Sequence, residues 1–138
     1  AHLMLLPSEI ESKLLIPAVR AILSKEMVIE KGLKEEEVAT MLGITQAAVS
    51  NYLRGTRGDN ELISKLMSLS EIMSMIKEIG DDLSTNRAYT AKTLSKFIAL
   101  CNYMRYSLII CDAHHSLERN IDEKVCEQCK IILTGTQQ

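Results

Sequence analysis

The chain has 138 residues, of which 46% are hydrophobic, and its formal net charge is −2. That length can bury one substantial core or two small ones, and the scarcity of proline and aromatic residues favours helices. No apolar run reaches the ~20 residues of a membrane span, and the N-terminus lacks the pattern of a secretory signal. We therefore expect an all-α protein that stays in the cytoplasm and does not enter a membrane.

The first helices are predicted from a cap and a proline. Ser8 and an acidic residue three positions later form a capping box, which begins a short helix over residues 9–15. Pro17 would break a continuous helix, so a second helix is predicted over residues 17–30. Gly32 is expected to end it.

Residues 34–57, KEEEVATMLGITQAAVSNYLRGTR, have the spacing of two short helices joined by a tight corner. Gly43 lies where the first helix must end in a left-handed conformation. Thr45 is a natural N-cap for the second helix, which is predicted over residues 46–53. This spacing indicates a helix-turn-helix. The apolar residues predicted to hold the two helices together are Val38, Ala39, Leu42, Ile44, Val49 and Leu53.

The second helix of this motif presents a polar face without acids. Arg54 and Arg57 are the two charged residues between Ile44 and Gly58. Amide side chains at the start of such a helix pair bidentately with adenine, and guanidinium groups pair with guanine. The pattern predicts that this helix docks in the major groove of double-stranded DNA. The residues predicted to contact DNA are Thr45, Gln46, Ala47, Ser50, Asn51, Arg54 and Arg57.

One long helix is predicted after the motif. Apolar residues from position 62 to position 79 recur at helical spacing, and methionines widen the stripe. Asp59 or Asn60 is expected to cap this helix, and Gly80 to stop it. The methionine-rich stripe indicates an adaptable core or a helix-mediated dimer interface, because two-fold DNA sites commonly require a dimer.

The polar segment DDLSTN, residues 81–86, is predicted to be a turn that separates two domains. The first domain, residues 7–80, contains the helix-turn-helix. The second domain, residues 84–138, begins with a helix from about Tyr89. The apolar residues predicted on this helix are Leu94, Phe97, Ile98, Cys101 and Met104.

All four cysteines of the chain lie beyond position 100. Cys126 and Cys129 form a C-x2-C knuckle, with which two thiolates can hold one metal centre. On one unbroken helix, Cys101 and Cys111 would be ~15 Å apart along the axis. Four sulfurs around one zinc lie within ~4 Å of each other. A shared centre therefore requires a helix break, which we expect near residues 106–107.

The cysteine pattern leaves the cofactor open. Four irregularly spaced thiolates suit an iron–sulfur cluster, and zinc or free or disulfide-forming thiols are the alternatives. His114 is either a substitute ligand or a surface group. A cysteine nucleophile with His114 as its base is the enzymatic alternative. The sequence has no phosphate loop and no paired catalytic groups, so we expect that the protein is not an enzyme.

The segments GITQAAVSNYLRGTRG and LPSEIESKLLIPAVRAILSKEMV together resemble the archaeal branch of the Xre/Cro-type transcriptional regulators. The resemblance is strong over residues 7–58 and weaker over residues 94–133. It implies a lambda-repressor-like helix-turn-helix bundle, cytoplasmic DNA binding and a cysteine-bearing tail. Relatives carry an additional cysteine where this chain has Met104, so one thiolate of their pattern is missing.

The sequence thus predicts a homodimeric, DNA-binding regulator of transcription. Residues 84–138 are predicted to hold an iron–sulfur cluster that senses redox state or iron, with Cys101, Cys111, Cys126 and Cys129 as its ligands. In one alternative, a structural zinc ion only stabilises the tail. In another, the helix-turn-helix is a protein-interaction module that packs against a partner rather than DNA.

Overall fold

The computed structural model describes residues 5–117 and 122–135, and within these residues the chain is helical and has no strand. The predicted all-α class is thereby confirmed for this part of the chain. Two π-helical segments, Glu11–Leu15 and Glu26–Glu30, flank the second α-helix. The α-helices are α1 Pro7–Ile10, α2 Ile16–Lys25, α3 Glu35–Leu42, α4 Gln46–Arg54, α5 Asn60–Met67, α6 Ser70–Asn86, α7 Ala91–Tyr106, α8 Ile109–Leu117 and α9 Glu123–Thr134.

The first helix of the chain is continuous, and the predicted break at Pro17 is wrong. Helix α1, the first π segment, α2 and the second π segment follow one another without interruption over residues 7–30. A proline lacks the N–H group, and its ring collides with the carbonyl four residues earlier in a regular α-helix. The π turn over Glu11–Leu15 widens the helix just before the proline, so the helix continues through it. Gly32 ends the helix at φ 70°, as predicted.

Helix α2 lies at the centre of the core. Residues 21–24 are four successive buried positions, and Ala18 and Val19 are fully buried as well. A helix that is buried on nearly all sides belongs to the interior of a domain. Helix α2 accordingly packs against α3, α4, α5 and α6.

Two helices, α5 and α6, replace the single long helix predicted up to position 79. Asp59 caps α5, since its side chain accepts a hydrogen bond from the amide of Leu62. The hydroxyl of Ser68 donates to the carbonyl of Lys65 at 2.6 Å, and Leu69 is extended. The break changes the phase of the apolar stripe, so that both helices face the core. The buried apolar residues are Leu62, Ile63 and Leu66 on α5, and Ile72, Ile76, Ile79 and Leu83 on α6.

The predictions for Gly80 and for residues 81–86 are wrong, because both lie within helix α6. A Cβ atom at Gly80 would come within 3.0 Å of Oε2 of Glu26. The glycine therefore permits close approach of α6 to the second π segment and does not end the helix. Leu83 is fully buried, and its burial keeps the otherwise polar segment helical.

The break predicted near residues 106–107 is confirmed, because α7 ends at Tyr106 and α8 begins at Ile109. Helix α8 contacts α1, the first π segment and α7, whereas α9 contacts α7. Ile110 and Ala113 of α8 belong to the same hydrophobic cluster as α2. One core therefore extends through both predicted domains, and the division into 7–80 and 84–138 stays a prediction.

The apolar face predicted for α7 is only partly buried. Leu100 and Met104 are buried, but Leu94 and Ile98 are 45% and 51% exposed. The apolar residues predicted on this helix all lie on it, but they are divided between the core and the surface. These two exposed side chains lie along a cleft that faces the helix-turn-helix.

Replacing Leu100 by alanine tests whether the chain unfolds as one unit. Leu100 is fully buried in the common core, so Leu100→Ala should lower the free energy of unfolding by about 2–5 kcal/mol. Urea denaturation followed by circular dichroism should still show a single transition. Ile98→Ala, on the same helix at an exposed position, is the control and should change the free energy by less than about 1 kcal/mol. Two separate transitions would instead support independent domains, if Leu100→Ala shifts only the transition that belongs to residues 84–138.

Candidate nucleic-acid interface

The corner between α3 and α4 has the predicted geometry. Gly43 adopts φ 68° and ψ 33°, a left-handed conformation that costs an L-residue roughly 1–2 kcal/mol. The amide of Ile44 donates to the carbonyl of Ala39 at 3.0 Å. The hydroxyl oxygen of Thr45 accepts a hydrogen bond from the amide of Ala48 at 3.0 Å, which makes Thr45 the N-cap of α4. These local bonds determine where α4 begins.

Three buried side chains, Ala48, Val49 and Tyr52, hold α4 on the core. Val49 is fully buried, as predicted, and Tyr52 is 2% exposed. Leu53, which was predicted to be buried, is only half-buried. Sequence reasoning missed Tyr52, although its position three residues after Val49 places it on the same side of the helix. Helix α4 packs through this side against α2 and α3.

None of the residues predicted to contact DNA is buried. Together they lie at the start of α4, along its outer side and in the loop that follows it. Thr45, Gln46, Ala47, Arg54 and Arg57 are exposed, and Ser50 and Asn51 are half-buried.

Asn51 and Arg54 are bonded to each other. Nη2 of Arg54 donates to Oδ1 of Asn51 at 2.6 Å. The backbone carbonyl of Asn51 accepts a hydrogen bond from the amide of Thr56 at 3.0 Å. Asn51 therefore closes the last turn of α4 and orients the guanidinium of Arg54, in addition to presenting its own amide nitrogen.

Arg57 is positioned by an aromatic ring. Its Cζ atom lies 5.5 Å from the centroid of the Tyr52 ring, within the range of a cation–π interaction. A Cβ atom at Gly58 would lie 3.5 Å from the same ring, so the loop passes directly over Tyr52. Side chains of α4 thus position both cations of this segment.

The structure does not place Cys101 with the other three cysteines. Cys101 lines a cleft together with Glu11 and Arg105, whereas the other three line a different cavity. The pKa of the Cys101 thiol is raised to about 11, chiefly by burial and further by a hydrogen bond to Glu11 and the charge of that carboxylate. A thiol with a raised pKa is a weaker nucleophile at neutral pH, because less of it is thiolate.

Cys111, Cys126 and Cys129 line an apolar cavity of about 630 Å³ together with His114 and His115. The Sγ atom of Cys126 lies 3.7 Å from Nε2 of His115. Burial raises the pKa of the Cys111 and Cys129 thiols, and the neighbouring thiols add to it. Over residues 5–117 and 122–135, no three Cys, His, Asp or Glu side chains lie close enough together to hold a metal ion. Helices α8 and α9 thus bring these donor groups to one cavity but not, as a set, within coordinating distance of one another.

Residues 25–69 match the helix-turn-helix family HTH_3. The match extends from the end of α2 to the junction of α5 and α6, and it identifies an Xre/Cro-like helix-turn-helix domain. Such a domain indicates a DNA-binding regulator. No curated protein and no solved structure matches the chain. None of the described helices is both long enough and apolar enough to span a membrane.

The reactivity of Cys101 tests its burial beside Glu11. With the other three cysteines replaced by serine, Cys101 is the single thiol, and only its thiolate reacts with iodoacetamide. A pKa of about 11 in place of 9.0 leaves roughly a hundredfold less thiolate at pH 8, and the rate should rise about tenfold per pH unit up to about pH 11.

Glu11→Gln removes the carboxylate charge and should speed alkylation at pH 8, because it lowers the pKa of Cys101. The urea-unfolded protein is the reference for an unperturbed thiol. A folded protein that reacts at pH 8 as fast as the unfolded one would contradict this placement of Cys101.

Proposed function

We propose that this protein is a sequence-specific regulator of transcription that binds double-stranded DNA as a homodimer. The observation that carries the proposal is the exposed, acid-free face of α4 within the segment that matches HTH_3. Base edges of the major groove require donors and acceptors on a projecting helix, and this face offers them. The cytoplasm is the expected location of such a protein.

The first residues of α4 recognise the base sequence of the DNA in this proposal. Gln46 is its first residue and is exposed, and the N-terminal residues of a recognition helix contact base edges. The Gln46 amide can accept a hydrogen bond from N6–H of adenine and donate one to its N7. The small side chains of Ala47 and Ser50 allow close approach to the groove, and the Ala47 methyl group suits the methyl group of thymine.

The end of α4 and the next loop supply phosphate contacts. Arg54 and Arg57 are exposed cations with defined orientations, through Asn51 and Tyr52 respectively. Thr45 accepts a hydrogen bond in its cap, and its hydroxyl proton is left to donate to a phosphate oxygen. Two arginines per chain on this surface give a modest electrostatic footprint, and a homodimer doubles it across two half-sites about 34 Å apart.

The thiols of α8 and α9 are the candidate ligands of a metal centre in this proposal. Cys111, Cys126, Cys129 and His115 line one cavity, and three thiolates with one imidazole are a donor set that zinc or an iron–sulfur cluster takes. Among the described residues these donors do not lie close enough together to hold a metal ion, so binding would draw α9 toward α8. The thiols must lose their protons to bind. A cluster supplies redox chemistry and makes the tail a sensor of redox state or iron, whereas zinc only ties α8 to α9. Cys101 is outside this set.

Two substitutions on α4 separate sequence reading from phosphate binding. Gln46→Ala should weaken binding to a duplex selected by the protein by ~1–3 kcal/mol, yet change binding to random DNA little. Arg54→Ala should weaken both and reduce the salt dependence by about one phosphate contact. Fluorescence anisotropy over a salt series measures both effects.

Lys13→Ala removes an exposed cation of the first helix and is the matched control for charge, with no expected change. Equal losses on both duplexes for Gln46→Ala would assign that residue to positioning. Unchanged affinity and unchanged salt dependence for Arg54→Ala would contradict its phosphate role.

Serine substitutions test the metal centre. Cys126→Ser should abolish bound metal, because it removes one of the three thiols at the shared cavity. Cys101→Ser is the matched control and should retain the metal, since that thiol lies in another cleft. Anaerobic protein is assayed for iron, sulfide and zinc, and absorbance near ~400 nm indicates a cluster.

Loss of metal in Cys101→Ser as well as Cys126→Ser would restore the four-cysteine ligand set that the sequence predicts. Full retention in all four single variants would show that the cysteines share no metal centre. Far-ultraviolet circular dichroism checks that each variant keeps its helices.

A further inference from the structure

An apolar cleft lies between the helix-turn-helix and α7. Its volume is about 630 Å³, within the range of small-molecule binding sites in proteins. Residues 40–43, at the end of α3, line one side of the cleft, and Leu94, Phe97 and Ile98 of α7 also line it. Leu94 and Ile98 remain about half exposed, so α7 turns apolar surface toward open space.

The cleft also carries an uncompensated positive charge. Arg20, Arg105 and Glu11 line it. Nε and Nη2 of Arg105 donate to one carboxylate oxygen of Glu11 at 2.9 and 2.5 Å, so these two charges offset each other. Arg20 is half-buried and has no hydrogen bond or ion pair through its side chain within the described part of the chain. A partly desolvated, unpaired cation favours an anionic partner.

We propose that this cleft binds a small amphipathic molecule with one carboxylate group and an apolar tail. The guanidinium of Arg20 pairs with the carboxylate, for which its planar fork is well suited. Leu94, Phe97 and Ile98 cover the tail. One carboxylate is the right complement because Arg20 is the cation of the cleft whose charge is not offset.

The position of the cleft gives this ligand a route to the DNA-binding helix. Residues 40–43 include Gly43, the corner residue that connects α3 to α4. A ligand that binds one arrangement of this corner more tightly than another shifts the population toward it. The inference goes beyond the proposed DNA binding and does not rest on it, because the cleft residues are not those that contact DNA.

The binding experiment uses the full chain without DNA, with octanoate as the probe and the uncharged octanamide as its matched comparison. Isothermal titration should show saturable binding of one octanoate per chain, at least about tenfold tighter than octanamide. Arg20→Met should weaken octanoate binding at least about tenfold and leave octanamide binding unchanged. Arg20→Lys keeps the charge but loses the planar fork, so its affinity for octanoate should lie between those of the unmodified chain and Arg20→Met. Lys13→Met, at an exposed site, should have no effect.

A second variant keeps the test independent of Arg20. Ile98→Glu places a carboxylate in the cleft at a half-exposed position and should also weaken octanoate binding. Thermal melts confirm that each variant is folded. Absence of saturable octanoate binding to the unmodified chain, or equal binding by Arg20→Met, would overturn the proposal. A different result would show that a second copy of the chain covers the cleft instead. In that case the unmodified chain does not bind octanoate, and Ile98→Glu converts a dimer to a monomer.

Discussion

The burial of helix α2 is the constraint on which the positions of the other helices depend. The four helices that follow it in the chain all pack against it, and the π turns on both sides each add a residue to the helix. The buried residues Ile10, Leu15 and Met27 can therefore face the interior together with those of α2. Any substitution that removes volume from α2 should loosen the recognition helix along with the core.

The recognition helix depends on this packing more than on its own cap. Burying an apolar side chain contributes about 1.5–3 kcal/mol, and both Val49 and Tyr52 are buried beneath α4. The cap at Thr45 contributes about 1 kcal/mol. Packing therefore keeps α4 in place, while the cap and Gly43 determine where it begins. Because Tyr52 also lies beneath Arg57, the same side chain joins the core to the candidate DNA surface.

Features set by neighbouring residues could be predicted from the sequence, and features set by distant contacts could not. The corner at Gly43 and the cap at Thr45 depend on bonds within a few residues, and both were predicted correctly. The local preference of glycine predicts that Gly80 ends a helix. Its close approach to Glu26 is a tertiary contact, which the sequence pattern does not show. The polar composition of residues 81–86 likewise predicts a turn, whereas the burial of Leu83, a tertiary effect, keeps them helical. Cys101 faces Glu11 and not the other cysteines. This placement depends on how α7 is rotated against the first helix, so the spacing of the cysteines along the chain does not predict it.

The central claim is that α4 and the loop after it form the DNA-binding surface. Hydrogen–deuterium exchange with and without a duplex selected by the protein tests it directly, because the method reports on every segment of the full chain at once. We expect slower exchange over residues 45–57 on adding the duplex, with the slowing lost at high salt. Unchanged exchange over residues 45–57, with protection in another part of the chain, would contradict it.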